Sequence, residues 1–186
     1  MIDETNMKTY ISLLRGINIS GQKKIKMVDL KAMYESLGYS GVQTYIQSGN
    51  VIFECPQQET KKLIAVIEQA IKRDFGYDVS VMIRTPEQFE SIITNNPFSH
   101  ETGFDMSALY VCLFTECADK KLLTQLDPGT DKERVHVKGQ EAYIYCPIGY
   151  GNTRFNNNYL EKKLQQAATT RNWKTMNALL MLAKEN

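Results

Sequence analysis

The chain has 186 residues, of which 42% are hydrophobic and 23% are charged, a composition that provides a buried core and argues against wholesale disorder. Its formal net charge is +1, so it lacks the global basic signature of a nucleic-acid-binding protein. No stretch approaches the roughly 20 apolar residues of a transmembrane helix, and the first residues, with two acids, do not resemble a signal peptide. We therefore expect a cytoplasmic protein that does not enter a membrane.

The first half of the sequence predicts the order strand, helix, strand, strand, helix, strand. Strands are indicated where apolar residues alternate, and helices where they recur every three or four positions. Ser48-Gly49 is a turn signal between two strands and predicts a hairpin, and Gly76 marks the end of the second helix. The predicted segments are, in order, residues 9–14, 30–37, 42–46, 51–53, 63–71 and 79–83.

The second half begins with Thr85-Pro86-Glu87-Gln88. This run combines an N-cap, a proline at the first helical position and a capping box, so it predicts a linking helix. A segment at 169–173 is predicted to precede the last helix directly. The other predicted segments are a strand at 109–114, a short helix at 122–126, a hairpin at 135–146, a loop at 147–158 and helices around 160–164 and 176–183.

Apart from the linking helix, both halves have the order strand, helix, strand, strand, helix. This order is the split β-α-β pattern of ferredoxin-like units. We therefore predict an α+β fold of two ferredoxin-like (split β-α-β) halves packed as one globular unit. The predicted domains are a flexible N-terminal extension at 1–7, a first subdomain at 8–84 and, at 85–186, the linking helix with a second subdomain and the C-terminal helix.

Four polar segments lie where predicted strands end or predicted helices begin: residues 14–18, 47–50, 150–154 and 169–173. Each combines Gly or Asn with side chains that donate hydrogen bonds, which suits an anion or a polar ligand. An arginine at a strand end presents a planar fork of donors, and a helix start presents free backbone N–H groups to a phosphate. The predicted ligand-binding residues are Arg15, Asn18, Gln47, Ser48, Asn50, Arg154 and Arg171.

The charge distribution is compatible with such a site but does not require it. Residues 5–28 include five basic residues and no acid, and residues 147–174 are again basic on balance. If these stretches meet in space, they create a local positive field that attracts anions. The structural alternatives are an Arg15 paired with a carboxylate at the core edge, an ordinary Ser-Gly hairpin turn, a flexible connector at 150–158 and simple helix capping by Thr170 or Asn172.

The sequence has no pattern for catalysis or metal binding: no paired carboxylates, no nucleophile motif and no Cys-x-x-Cys pair. Its four cysteines lie among apolar or strand-forming residues and predict free, mostly buried thiols. We expect no metal and no cofactor. An enzyme would need a general acid or base, and apart from a carboxylate brought in by folding the candidates are His100, Tyr45 and Tyr150.

The polar segments also carry a resemblance to a known family. Leu13-Leu14-Arg15-Gly16-Ile17-Asn18, Thr44-Tyr45-Ile46-Gln47-Ser48-Gly49-Asn50-Val51 and Thr169-Thr170-Arg171-Asn172-Trp173-Lys174-Thr175 resemble the domain of unknown function 1697 family, as does Asn96-Pro97-Phe98. The resemblance implies a bacterial-type, soluble α+β protein of two similar subdomains with no assigned activity. Residues 152–155 are a looser match, which makes Arg154 a weaker candidate than Arg15.

The sequence leaves three functional hypotheses open. The first is a binding module for an anionic ligand, either a phosphate-containing small molecule such as a nucleotide or a nucleic-acid backbone. The second is an enzyme that acts on a small polar substrate with an arginine clamp. In the third, the motif residues are purely structural and fix the junction between the two halves. The sequence does not choose among these hypotheses, and it does not indicate an oligomeric state.

Overall fold

The computed structural model describes residues 6–19, 21–99, 101, 103–127, 129–130 and 133–186. Over these residues the chain forms nine strands and six α-helices, a mixed α+β fold with two antiparallel sheets. The chain divides into two compact units, Met1–Phe89 with Leu179–Asn186, and Glu90–Ala178. Ser20, His100 and most of the predicted N-terminal extension lie outside the described residues.

The first unit contains a four-stranded sheet and two helices, in the element order that the sequence predicts. Its strands lie in the order β2-β3-β1-β4, and every neighbouring pair is antiparallel. Each helix therefore connects two strands that are separated by a third strand in the sheet. The elements are β1 (Met7–Leu14), α1 (Met27–Ser36), β2 (Ser40–Tyr45), β3 (Asn50–Pro56), α2 (Thr60–Phe75) and β4 (Val81–Arg84).

The apolar sides of the two helices pack against one face of this sheet. The buried residues of α2 recur at three- and four-residue spacing, and the helix ends at Gly76, whose φ of 75° is left-handed. Tyr34 of α1 and Phe53 of β3 lie at the centre of the core, with their rings edge to face at a centroid distance of 5.3 Å. Hydrophobic periodicity was a sufficient signal for the two helices because each buries residues at three- and four-residue spacing.

The strand β2 forms one edge of the sheet. It carries a β-bulge between Ser40 and Gln43, where Gly41 has a positive φ of 56°. The side chain of Asn186 donates to the Gly41 carbonyl at 3.0 Å and accepts from the Gln43 amide at 2.6 Å. The outer side of the bulge is thus hydrogen-bonded to the last residue of the chain.

The second unit contains a five-stranded sheet in the order β6-β7-β8-β5-β9. Without the two-residue strand β6, the strands follow the same permutation as in the first unit: second, third, first, fourth. Phe155 and Leu160 are fully buried in the core on this sheet. The elements are β5 (Leu109–Phe114), α4 (Lys120–Leu123), β6 (Gly129–Thr130), β7 (Glu133–Lys138), β8 (Glu141–Tyr145), α5 (Asn157–Leu164) and β9 (Ala168–Asn172); α3 (Pro86–Thr94) precedes them and α6 (Trp173–Glu185) follows.

One predicted segment differs from the structure. Residues 168–172 do precede the last helix, which begins at Trp173, but they form the strand β9, which pairs along β5 from Phe114↔Ala168 to Tyr110↔Asn172. The two β-branched threonines favour an extended backbone, which fits a strand better than a helix start. Three of the five residues of β9 are buried. The segment is nevertheless polar in composition, so hydrophobic patterning in the sequence does not reveal the strand.

Two local sequence predictions are confirmed. The capping box that begins α3 is formed: the Gln88 backbone N–H donates to the Thr85 hydroxyl, and the Gln88 side chain accepts from the Thr85 backbone N–H at 2.9 Å. The cysteines are free thiols, with Cys55, Cys112 and Cys146 buried and Cys117 exposed.

Gly49 provides a test of how tightly the β2–β3 turn packs against β1. Its φ is +73°, and a Cβ there would lie 2.8 Å from Leu14 Cβ and from Ile17 Cδ1, whereas Gly38 has a similar φ of +83° and open space around it. Both substitutions by alanine incur the left-handed strain of about 1–2 kcal/mol. Gly49→Ala adds overpacking of about 1–3 kcal/mol, so it should lower the free energy of unfolding by more than Gly38→Ala does.

Urea denaturation of the two variants and the parent protein measures this difference. Equal losses in Gly49→Ala and Gly38→Ala would contradict the close contact between the turn and β1.

Candidate functional site

Asn18 joins two of the predicted polar segments in the first unit. Its side-chain amide donates to the carbonyl oxygens of Ile25, at 2.8 Å, and Gln47, at 2.9 Å. Its side-chain oxygen accepts from the Ile25 backbone N–H at 2.9 Å. Asn18 has a φ of +55°, a conformation that asparagine tolerates better than most residues. One side chain thus holds the loop after β1 against the turn between β2 and β3.

Asn50 closes that turn from inside. It is fully buried, and its amide donates to the Tyr45 carbonyl and to the Ser48 hydroxyl, both at 2.9 Å. The Gly49 carbonyl accepts from the Leu14 backbone N–H at 2.8 Å, which ties the turn to the end of β1. The buried amide of Asn50 therefore serves the protein's own backbone.

The turn also contains a strained residue. Ile46 has a φ of +50° and is 51% exposed. A left-handed backbone is uncommon for any residue with a side chain and is a clear outlier for a β-branched one. Ile46 thus combines backbone strain with an apolar side chain in water.

The loop after β1 displays positive charge. Lys24 and Lys26 are exposed, Arg15 is half-buried at the end of β1, and Lys23 donates from Nζ to the Asp78 carbonyl at 2.5 Å. No acidic residue occurs between positions 6 and 28. Gln47, on the adjoining turn, is also exposed. We call residues 15–19, 21–28 and 46–49 the loop face.

In the second unit, Arg154 interacts with two carboxylates. Its Nη1 donates to Asp127 Oδ2 at 2.5 Å, and its Nε lies 2.7 Å from Glu133 Oε1 in an ion-pair contact that is not aligned as a hydrogen bond. The other Glu133 oxygen accepts from the Thr153 hydroxyl at 2.7 Å. The guanidinium also lies over the Phe155 ring, 5.1 Å from its centroid. The positive charge of Arg154 is therefore balanced within the unit.

Arg171 lies within β9 and is only 7% exposed. Its Nη1 donates to the Thr169 hydroxyl at 2.8 Å and to the Thr170 carbonyl at 2.9 Å. Burial lowers the pKa of Arg171 to about 10, because the charged form loses hydration. At neutral pH the group is still protonated, but its location in a buried strand is unlike the exposed helix start that the sequence predicted.

Asn157 links β9 to the polar loop before α5. Its side-chain oxygen accepts from the Thr170 hydroxyl at 2.6 Å and from the Tyr150 hydroxyl at 3.2 Å. Burial raises the pKa of Tyr150 to about 12, so the phenol stays protonated at neutral pH and is a poor general base there. The structure thus gives Tyr150 a packing role, stacked on Tyr110 at a centroid distance of 4.8 Å.

The seven predicted ligand-binding residues fall into two sets. Arg15, Asn18, Gln47, Ser48 and Asn50 belong to the first unit, where direct hydrogen bonds connect Asn18 with Gln47 and Ser48 with Asn50. Arg154 and Arg171 belong to the second unit and have separate hydrogen-bond partners there. The sequence analysis did not single out Asn157, Asp127 or Glu133. Asn157 is one of three consecutive asparagines in the predicted polar loop. Asp127 follows the predicted helix at 122–126 and indicated only the end of that helix.

A surface cavity of about 250 Å³ lies in the second unit, lined by Leu123, Leu126, Asp127, Val135, His136 and Val137. His136 is exposed, as its position in a strand between two valines predicts. Among the described residues, no cluster of three or more His, Cys, Asp or Glu side chains could hold a metal ion. None of the helices in the described ranges is long and apolar enough to span a membrane.

Together, the two antiparallel sheets with their covering helices define a mixed α+β protein whose densest polar motifs lie in loops. Residues 7–143 match the family model described as a protein of unknown function (DUF1697), and the chain belongs to this family. This confirms the resemblance found in the polar segments. No curated protein matches the sequence.

The chain is also similar to a solved structure, that of the conserved bacterial protein SP0830 from Streptococcus pneumoniae. The two share 24% sequence identity with a TM-score of 0.74, over 95% of this chain and 99% of that one. At this level of identity the similarity establishes the fold.

The anchoring role of Asn18 predicts different behaviour for two substitutions. Asn18→Gly keeps the left-handed backbone but removes three hydrogen bonds, which should lower the free energy of unfolding by about 2–3 kcal/mol at roughly 1 kcal/mol each. Asn18→Asp retains the oxygen that accepts from the Ile25 backbone N–H. Hydrogen exchange should therefore show the Ile25 amide protected in Asn18→Asp and exposed in Asn18→Gly. Equal protection in both variants would contradict this role.

The burial of Arg171 predicts a loss of stability on truncation. Arg171→Ala leaves the Thr169 hydroxyl and the Thr170 carbonyl without their donor in a buried strand, and it opens a cavity, so the free energy of unfolding should fall by about 2–4 kcal/mol. Lys174→Ala is the control, because Lys174 is a nearby exposed cation and its loss should cost less than about 0.5 kcal/mol. Urea denaturation measures the free energy of unfolding of the two variants. A small loss in Arg171→Ala as well as in Lys174→Ala would show that Arg171 is not structural.

Proposed function

We propose that this protein binds an anionic partner through the loop face of its first unit. The observation that carries the proposal is the attachment of an acid-free, lysine-containing loop to the Gln47 turn by the side chain of Asn18. The attachment presents Lys24, Lys26 and Gln47 on one ordered surface, where their exposed groups can contact phosphate or carboxylate oxygens.

The start of α1 adds to the positive character of this surface. Lys26 is the N-cap residue of α1, and its side chain makes no capping hydrogen bond. The first backbone N–H groups of a helix have no partner within the helix and favour negative charge nearby. Asp29, in the first turn, partly offsets this field. The exposed lysines therefore supply most of the attraction.

The proposal does not include Arg154 or Arg171. Arg154 already contacts two carboxylates, and Arg171 is buried in β9 with hydrogen bonds to its neighbours. A ligand would have to displace Asp127 and Glu133 from Arg154, or open the sheet to reach Arg171. Either step costs more than binding at the exposed lysines.

A structural role is the second candidate for the motif residues themselves. The amides of Asn18 and Asn50 are directed to the backbone carbonyls of Ile25, Gln47 and Tyr45. These contacts account for the asparagines without a ligand. In our proposal the two roles are combined: the asparagines hold the surface in shape, and the lysines and Gln47 contact the partner. For an enzymatic role, Tyr150 could serve only as a proton donor at neutral pH, because burial raises the pKa of its phenol to about 12.

We further propose that each unit is ferredoxin-like. Support comes from the strand order β2-β3-β1-β4 in the first unit and the equivalent order β7-β8-β5-β9 in the second. In both units a helix follows the first strand and another follows the third, which is the split β-α-β arrangement. The loop face is then the set of loops that follow the first and second strands of the first unit.

The binding proposal can be tested with a short fluorescein-labelled single-stranded RNA as a model polyanion. The double variant Lys24→Gln/Lys26→Gln removes two charges from the loop face. The control Lys31→Gln/Lys62→Gln removes two charges from α1 and α2, where both lysines are exposed and form ion pairs with glutamates. Fluorescence anisotropy at about 50 and 200 mM salt gives the affinity and its salt dependence.

The loop-face variant should bind roughly tenfold or more weakly than the parent, and the slope of log affinity against log salt should be smaller by about 1.4 for two lost contacts. The control variant should keep the parent's slope. Equal losses in the two variants, or no binding by the parent at low salt, would overturn the proposal.

A further inference from the structure

The loop face is apolar as well as basic. Among the described residues, six large hydrophobic side chains are exposed, and three of them belong to this face: Ile19 at 56%, Val28 at 69% and Ile46 at 51%. Single exposed hydrophobic residues are ordinary, but a group of them beside charged side chains marks interaction surfaces.

These three residues are close in sequence to Asn18 or to one of its hydrogen-bond partners. Ile19 follows Asn18, and Ile46 precedes Gln47, whose carbonyl accepts the Asn18 amide at 2.9 Å. Val28 lies in the first turn of α1, three residues after Ile25, the other hydrogen-bond partner of Asn18. Lys24 and Lys26 lie between Ile19 and Val28 in the same loop. Aliphatic and basic residues are therefore interleaved along the segments that Asn18 joins.

The backbone strain at Ile46 indicates that its exposed apolar side chain serves an interaction with another molecule and is not required for folding. Glycine or asparagine would adopt its left-handed backbone at lower cost and would not expose a hydrocarbon side chain. Strained residues that the fold does not require concentrate at functional sites. About half of the residue remains in contact with solvent, so burial offsets only part of this cost.

We propose that the partner of the loop face is an acidic polypeptide segment that also carries aliphatic side chains; this inference rests on the proposed function. Its carboxylates would pair with Lys24 and Lys26, and its aliphatic groups would cover Ile19, Val28 and Ile46. Two observations favour a polypeptide over other anions. Side chains that are more than half exposed do not form the concave walls of a small-molecule site. Isoleucine and valine also lack the aromatic face on which nucleic-acid bases stack.

The test compares three labelled probes by fluorescence anisotropy: a peptide of alternating Glu and Leu, a peptide of the same length with alternating Glu and Ser, and the single-stranded RNA used above. Two variants remove apolar groups from the loop face, Ile46→Asn and Ile19→Ser/Val28→Ser. Val66→Ser is the matched control, because Val66 is an exposed aliphatic residue on α2, away from the loop face.

The parent should bind the Glu/Leu peptide about tenfold more tightly than the Glu/Ser peptide. Both apolar variants should lose about fivefold or more of the affinity for the Glu/Leu peptide and keep their affinity for RNA, while Val66→Ser should match the parent. Ile46→Asn should also raise the urea midpoint, since asparagine relieves the strain. A higher midpoint together with weaker peptide binding separates a loss of contacts from a loss of folding.

The two proposals fail in different ways. If the apolar variants bind the Glu/Leu peptide as the parent does, or if the parent prefers RNA to that peptide, the polypeptide assignment is overturned. The anion-binding proposal then stands, provided that Lys24→Gln/Lys26→Gln still weakens RNA binding. If this lysine variant binds every probe as the parent does, the anion-binding proposal itself is overturned.

Discussion

The loop face depends on the side chain of Asn18. The two segments that it connects are far apart in sequence. Its hydrogen bond to the Gln47 carbonyl joins them beside the backbone hydrogen bond from Leu14 to Gly49, and its two hydrogen bonds with Ile25 hold the loop itself. Asparagine combines a donor pair, an acceptor and tolerance of a left-handed backbone in one short side chain. Neither aspartate, which lacks the donors, nor glutamine, whose side chain is longer, provides the same combination.

The positive charges of the described residues are used in two ways. Two arginines of the second unit are bound by other groups of that unit. Arg171 donates to Thr169 and Thr170 within β9, and Arg134 forms a half-exposed bidentate pair with Glu101, with its guanidinium over the rings of Phe98 and Phe104. In the loop after β1, by contrast, Lys24 and Lys26 are exposed to solvent. This division follows the chemistry of the two groups, because guanidinium forms planar, oriented contacts and ammonium remains a strongly hydrated point charge. A net charge of +1 conceals the difference.

The sequence predicted the element order of the first unit because its helices bury residues at three- and four-residue spacing, and because its strands include short buried apolar runs, as in β1 and β4. It missed β9, since the buried residues of this strand are Ala168, Thr169 and Arg171 and do not form a run of large aliphatic residues. The contact of Asn18 with Gln47 spans 29 positions, and no local pattern encodes it. The sequence did identify both residues as polar and placed them at element ends, so it located the candidate surface without showing how its parts connect.

The bulge of β2 opposes edge-to-edge pairing between copies of this protein. An edge strand offers unpaired backbone groups to any second strand, and flat, regular edges promote aggregation. In β2 the bulge breaks the regular spacing of these groups, and Asn186 occupies the Gly41 carbonyl that an incoming strand would need. The bulge and Asn186 together make β2 a poor template for pairing with a second strand.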